Sequence, residues 1–139
     1  MKIEEQVLNI EQMKHLQELG VDTSDASMVW VKQEPSQNSD DEFVPWKVFV
    51  FKDWMKYYIG AETFILTYTI GDLIEKLPKH FCVRESPISM VALNGSGAFQ
   101  VWYDKVPKSC KSDGTIKNAL YKLLCWVAEN HKELLEMKK

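Results

Sequence analysis

The chain has 139 residues, a formal net charge of −3, 45% hydrophobic residues and 27% charged residues, which are proportions typical of a soluble globular protein. A chain of this length buries enough surface to be stable as one domain over residues 1–139 without disulfide bonds. No apolar run approaches the roughly 20 residues that a membrane-spanning helix needs, and acidic residues 1–6 do not resemble a signal peptide. We therefore expect a cytoplasmic protein that does not contact membranes.

The charge is unevenly distributed along the chain. Residues 1–45 contain 3 basic and 10 acidic residues, whereas residues 46–139 contain 14 basic and 10 acidic residues. Only one of the 17 basic residues, Arg84, is an arginine, and arginine is the residue that bidentate phosphate contacts favour. Nucleic acid is therefore a less favoured partner than protein.

The first predicted helix begins after Asn9 and ends at Gly20. Asn9 can cap the free amides of the helix, and Gln12, three residues later, is its capping-box partner. Gly20 can adopt the left-handed conformation that ends a helix. A strand is predicted over residues 27–33, followed by a polar loop over residues 34–42, whose adjacent carboxylates lack the spacing of a calcium loop.

We predict that the sheet is organised around a strand over residues 44–51. Trp46, Val48 and Val50 would lie on one face and Phe49 and Phe51 on the other, because successive side chains of a strand point to opposite faces. A strand that is apolar on both faces is typical of a central strand covered on both sides. The second cover could be another layer of this chain, a second copy or a partner.

A third strand is predicted over residues 62–68, and a second helix then begins at the capping pair Thr69 and Asp72. Strands over residues 88–93 and 98–103 are joined by residues 94–97, whose sequence NGSG predicts a hairpin. With this loop, Ala92 lies opposite Phe99.

Residues 105–114 are predicted to form a basic loop, and residues 115–135 a final helix with a wide apolar stripe. The elements together predict an α+β fold: an antiparallel sheet of about five strands with three helices, mainly on one face.

The sequence contains no arrangement typical of an active site or a metal site. His80 and Cys82 would share a face of a strand, but no orienting group accompanies them. The pairs His80 with Cys82 and Cys125 with His131 lack the spacing of a zinc knuckle. We expect no metal and no cofactor, and we favour a protein that is not an enzyme. An enzyme with its site near His80 and Cys82 is the open alternative.

Aromatic residues are concentrated between residues 43 and 58. Aromatic side chains that carry a polar atom anchor many interfaces, but they are also ordinary core residues. The residues chosen as a candidate protein interface are Trp46, Trp54, Tyr57, Tyr58 and Trp102.

The opening IEQMKHLQELG (residues 10–20), followed by DTSDASM (residues 22–28), resembles the start of many short uncharacterised Bacteroidetes proteins, which are often encoded near mobile or prophage-like genes. The segments YTIGDLIEKLP (residues 68–78) and LLCWV (residues 123–127) resemble the same group. This resemblance implies a genomic setting, and it implies no activity and no site residues.

Two functions follow as hypotheses. The first is a small cytosolic, non-catalytic protein-binding or adaptor module, whose partner is another protein or a second copy in a homodimer. The alternative is a nucleic-acid-associated accessory factor of a mobile element, which would bind through positive charge. Its candidate basic patch consists of Lys105, Lys108, Lys111, Lys117 and Lys122.

Overall fold

The computed structural model describes residues 3–33, 45–58, 60, 63–78, 88–92, 99–103 and 106–136. The described strands are β1 (Met28–Lys32), β2 (Trp46–Val50), β3 (Phe64–Thr67), β4 (Ile88–Ala92), β5 (Phe99–Tyr103) and β6 (Val106–Asp113). The described helices are α1 (Ile10–Glu18), α2 (Phe51–Trp54), α3 (Ile70–Lys76), α4 (Ile116–Asn130) and α5 (Lys132–Glu136), with short 3-10 helices at Ile3–Glu5 and Met55–Tyr57.

The fold is α+β with antiparallel pairing, as predicted, but the described strands form two sheets instead of one. The first sheet has the order β2-β1-β3 and the second has the order β4-β5-β6. The described residues also form more helices than the three predicted. None of these helices is both long and apolar enough to cross a membrane.

The central strand of the first sheet is β1, and the prediction of a central strand over residues 44–51 is wrong. β1 pairs with both β2 and β3, whereas β2 lies at the edge of the sheet formed by the described strands, with Phe49 and Val50 partly exposed. Phe51 does not belong to the strand, because α2 begins there. Pro45 and Lys47 are residue types typical of edge strands.

The second sheet contains the predicted hairpin in the predicted register, since Ala92 pairs with Phe99 and Ile88 with Tyr103; the connecting residues 93–98 lie outside the described residues. Its third strand, β6, occupies residues predicted to be a basic loop. The β6 register shifts between Val101 and Tyr103 of β5, and the buried Ser109 hydroxyl accepts a 2.8 Å hydrogen bond from the Tyr103 amide. A polar strand with an irregular register shows no alternation, so the sequence did not reveal it.

The main core lies around α4, which packs on β5 and β6 and against α3. Its fully buried residues on α4 include Leu120, Leu123 and Val127. The helix predicted over residues 115–135 is interrupted at His131, whose φ of −143° and ψ of 44° are not helical, and α5 continues from Lys132.

The residues before α1 connect the first sheet to α4. The Leu8 carbonyl accepts hydrogen bonds from the Trp30 indole N–H (2.9 Å) and the Thr67 hydroxyl (2.7 Å). Lys117 of α4 donates to the carbonyls of Glu5 (3.1 Å) and Val7 (3.0 Å). Except for the exposed bond to Glu5, these bonds are buried or partly buried, and they satisfy backbone carbonyls that lie outside the α-helices and β-strands.

Both predicted helix caps are confirmed. The Asn9 side chain accepts from the Gln12 amide at 2.8 Å, and the Gln12 side chain accepts from the Asn9 amide at 2.9 Å. Thr69 and Asp72 form the same reciprocal pair at the start of α3. Gly20 ends α1 with a φ of 87°, in the left-handed region that glycine tolerates.

Candidate protein-contact surface

One face of the first sheet is covered by an aromatic cluster. The Trp54 ring centroid lies 4.9 Å from that of Tyr58 and 5.1 Å from that of Phe64, and the Tyr58 and Phe64 rings meet edge to face at 5.4 Å. Phe64 pairs with Val31 of β1, so their side chains share a face. The aromatic cluster therefore holds α2 and the following 3-10 helix against this face.

The opposite face of the sheet carries a smaller core. Met28, Trp30 and Val48 form a buried cluster with Val7, and the half-buried Trp46 packs against it. Elements of the chain itself therefore lie on both faces of the first sheet near β1. The cover is thinner toward β2, where side chains of both faces reach solvent.

We define the β2–α2 surface as Phe49, Val50, Asp53, Trp54, Met55 and Tyr57. Four of its large apolar side chains are exposed, by 37% at Phe49, 44% at Val50, 44% at Met55 and 78% at Tyr57. Apart from Met55, the same residues line an open groove of about 350 Å³. Exposed large apolar residues that adjoin one another are typical of contact sites, whereas scattered ones are not.

Exposed lysines surround this surface. Lys47 lies on β2, and Lys52 and Lys56 lie on α2 and the 3-10 helix, all exposed. The one carboxylate of the surface, on Asp53, lies 4.0 Å from the Lys56 ammonium. An exposed pair of this kind contributes little to stability.

The backbone of β2 offers hydrogen-bonding groups at its outer side. The Gln33 amide donates to the Pro45 carbonyl (2.7 Å), and the Phe51 amide donates to the Ser27 carbonyl (2.9 Å). In an antiparallel pair, alternate residues bond to the neighbouring strand, so the register places the bonds to β1 at the odd-numbered residues of β2. The N–H and C=O groups of Trp46, Val48 and Val50 consequently point away from β1.

The structure brings together three of the five candidate interface residues. Trp54 and Tyr57 lie in adjoining helical segments, and Tyr58 directly follows them. In contrast, Trp46 lies on the other face of the first sheet, and the half-buried Trp102 lies on β5 of the second sheet. Whether any of them binds a partner stays a prediction.

Sequence reasoning missed the exposed members of the surface. It assigned Phe49 and Val50 to a covered strand and did not consider Met55. The signal that could have placed them at an edge is Lys47 within an otherwise apolar strand, together with Pro45.

The described lysines of the candidate basic patch form contacts with other groups of the same chain. Lys117 bonds to backbone carbonyls near the start of the chain, Lys122 pairs with Asp113 at 2.9 Å, and the Lys111 ammonium lies 5.8 Å from the Trp126 ring centroid. Burial lowers the pKa of Lys117. Lys105 lies outside the described residues, and the side chain of Lys108 is not among those described.

The candidate chemistry at His80 and Cys82 also lies outside the described residues. Cys125 is buried, and its burial raises the pKa of the thiol, which disfavours the reactive thiolate. Within the ranges that the structure describes, no three metal-ligating side chains gather into a cluster.

Several polar side chains beside α3 form hydrogen bonds within the chain. Lys76 donates to the Asp22 carbonyl (2.7 Å) and to the Asp25 carboxylate (3.1 Å), and the Tyr68 hydroxyl donates to the same carboxylate at 2.7 Å. Burial is the largest cause of the raised pKa of Tyr68, and the hydrogen bond to Asp25 raises this pKa further. These bonds fasten the turn after α1 to α3 and have a structural role.

The chain was compared with protein-family models, with curated proteins and with solved structures. None of the three comparisons finds a match.

Proposed function

We propose that the protein is a small, non-catalytic protein-binding module that contacts its partner through the β2–α2 surface. The observation that carries this proposal is the exposure of Phe49, Val50 and Tyr57 along one groove, with Met55, also exposed, on the 3-10 helix that carries Tyr57. Aromatic residues and methionine are enriched in protein interfaces, and their burial is a main source of binding free energy.

Packed aromatic rings hold the β2–α2 surface in place, and this support favours a role for the surface in binding. Trp54, Tyr58 and Phe64 fix the backbone that carries Met55 and Tyr57. A preorganised surface loses less conformational entropy when it binds. The mixture of aliphatic and aromatic side chains suits a protein partner better than stacked bases, which need several open ring faces.

The nucleic-acid alternative receives less support from the residues chosen for it. Lys117 and Lys122 are bonded within the molecule, so each would have to give up these contacts to bind phosphate. A location in the cytoplasm is part of our proposal and is supported by the free thiols of Cys110 and Cys125, which suit a reducing compartment.

Photo-crosslinking tests the proposal. A benzophenone side chain replaces Tyr57 in one variant and Glu18 in a control variant, since Glu18 on α1 is 77% exposed and lies outside the surface. We expect discrete protein adducts from position 57, in concentrated pure protein or in cells, and none from position 18. Equal labelling from both positions, or none from position 57, would contradict the proposal.

A further inference from the structure

We propose that the partner is a second copy of this chain, and that β2 pairs antiparallel with β2 of that copy around a twofold axis at Val48. The sheet β2-β1-β3 of one copy would then join the same sheet of the second copy, and together they would form one continuous sheet of six strands. This inference rests on the proposed protein-binding function and names its partner.

The outer edge of β2 has the groups that such pairing needs. The N–H and C=O groups of Trp46, Val48 and Val50 point away from β1 by the register. Within the part of the chain that the structure describes, β2 has a neighbouring strand on one side only. Unpaired strand edges of this kind are templates for pairing with another chain.

The sequence of β2 is complementary to itself in one register. When Val48 lies opposite Val48 of the second copy, Trp46 lies opposite Val50 and the indole covers the exposed valine. On the other face, Lys47 lies opposite Phe49, whose ring attracts an ammonium group. Aromatic and β-branched residues form favourable cross-strand pairs.

The neighbouring registers are less favourable. A shift that puts Trp46 opposite Val48 would also put Lys47 directly opposite Lys47, and like charges in that position are destabilising. A shift in the other direction puts Val48 opposite Val50 and leaves Trp46 opposite α2 instead of a strand residue. Only the register centred on Val48 pairs all five residues of β2.

The end of β2 limits the length of the new pairing. The strand ends at Val50, because α2 begins immediately after it. Val50 is the residue directly before this helix, so its carbonyl accepts the first hydrogen bond of the helix and is not counted among the groups that pair with the second copy. The pairing therefore uses both groups of Val48 and the bond from the Val50 amide to the Trp46 carbonyl, repeated by symmetry, and it closes as a twofold dimer.

A proline at position 50 tests the pairing without disturbing the bonds to β1. The φ of Val50 is −68°, which proline adopts, and the preceding Phe49 is in a strand, as a residue before proline prefers. Val50→Pro removes the outward N–H, whereas the control Val50→Thr keeps the N–H and the branched shape.

Light scattering after size exclusion, at two concentrations about a hundredfold apart, measures the mass of each variant. We expect the wild-type mass to rise from 16.2 kDa toward twice that value. Val50→Pro should weaken association at least about thirtyfold, because it removes two interchain hydrogen bonds, and Val50→Thr only a few-fold. A wild-type mass of 16.2 kDa at both concentrations, or equal association of all three proteins, would overturn the inference.

Cysteine crosslinking gives a second readout in case Val50→Pro does not fold. Opposed residues of a hydrogen-bonded pair have Cα atoms about 5.5 Å apart, within the range of a disulfide. We expect Val48→Cys to form an interchain disulfide between two copies of position 48 on mild oxidation. Val50→Cys should not, although Val50 is the more exposed residue, because the two copies of position 50 lie four residues apart in register.

Faster crosslinking of Val50→Cys than of Val48→Cys would overturn the proposed register. The proposed function fails separately from this inference. Adducts of a different protein at position 57, with a monomeric wild type, would retain the function and reject the second copy as the partner.

Discussion

Strands β1 and β2 lie side by side and are both rich in valine and aromatic residues, yet their surroundings differ. Val29 of β1 is completely buried, whereas Phe49, which pairs with it across the strands, is 37% exposed. The exposure differs because, among the described strands, β1 has a neighbour on each side and β2 has a neighbour on one side. An apolar strand therefore contributes to a core when it is central and to a contact surface when it is at an edge.

The largest expected effect contrasts these two opposed residues. Val29→Asp buries a charge without a partner and should cost more than about 4 kcal/mol of unfolding free energy. Phe49→Asp places the same charge at a partly solvated position, and we expect a cost of about 1 kcal/mol. Urea unfolding of both variants measures the contrast. Equal costs would show that β2 is as buried as β1.

The second-largest expected effect on stability contrasts Trp30 with Trp46, which lie on the same face of the first sheet. Trp30→Phe keeps a ring in the core but loses the bond from the indole N–H to the Leu8 carbonyl, which should cost about 1 to 2 kcal/mol. Trp46→Phe changes a half-buried ring on β2, and we expect about 0.5 kcal/mol. Chemical denaturation at neutral pH ranks the two, and a larger cost at Trp46 would contradict the comparison.

The caps and the hairpin were predictable because their signals are local. Asn9 with Gln12 and Thr69 with Asp72 lie three residues apart and form their bonds within one helical turn. The hairpin register follows from the length of its loop. Short-range rules need no information about the rest of the fold.

The position of β2 at an edge was not predictable in the same way. Strand order depends on pairing between β1 and β3, which are more than 30 residues apart in sequence. Apolar residues on both faces are compatible with a centre or an edge, so the sequence predicted that Phe49 and Val50 belong to a central strand covered on both sides. β6 escaped prediction because its polar residues and shifted register carry no periodic signal.

A smaller effect is expected at a lysine that sequence reasoning assigned to a basic patch. Lys117→Met loses hydrogen bonds to the carbonyls of Glu5 and Val7, and we expect a cost of about 1 kcal/mol. The matched change Lys56→Met, beside the β2–α2 surface, removes only an exposed ion pair and should have no measurable effect. Thermal unfolding of both variants makes the comparison, and an unchanged melting temperature for Lys117→Met would refute the structural role.

The smallest expected effect depends on pH and lies on β6. The hydrogen bond from Lys122 lowers the pKa of Asp113, so this group stabilises the fold above its unfolded pKa of about 3.9. The stabilisation is lost as the pH falls through the lower pKa of the folded state. Asp113→Asn should therefore cost about 0.5 kcal/mol or less near neutral pH and nothing below that folded pKa. A cost that persists in acid would show that charge is not its source.

The pairing of β2 with itself is tested most directly by amide hydrogen exchange, measured residue by residue at low and high protein concentration. In the monomer the amides of Lys47 and Phe49, which bond to β1, should exchange slowly, and those of Val48 and Val50 rapidly. At high concentration we expect slow exchange at Val48 and Val50 as well, with β1 protected throughout. Rapid exchange at Val48 and Val50 at every concentration would contradict the pairing of β2 with itself.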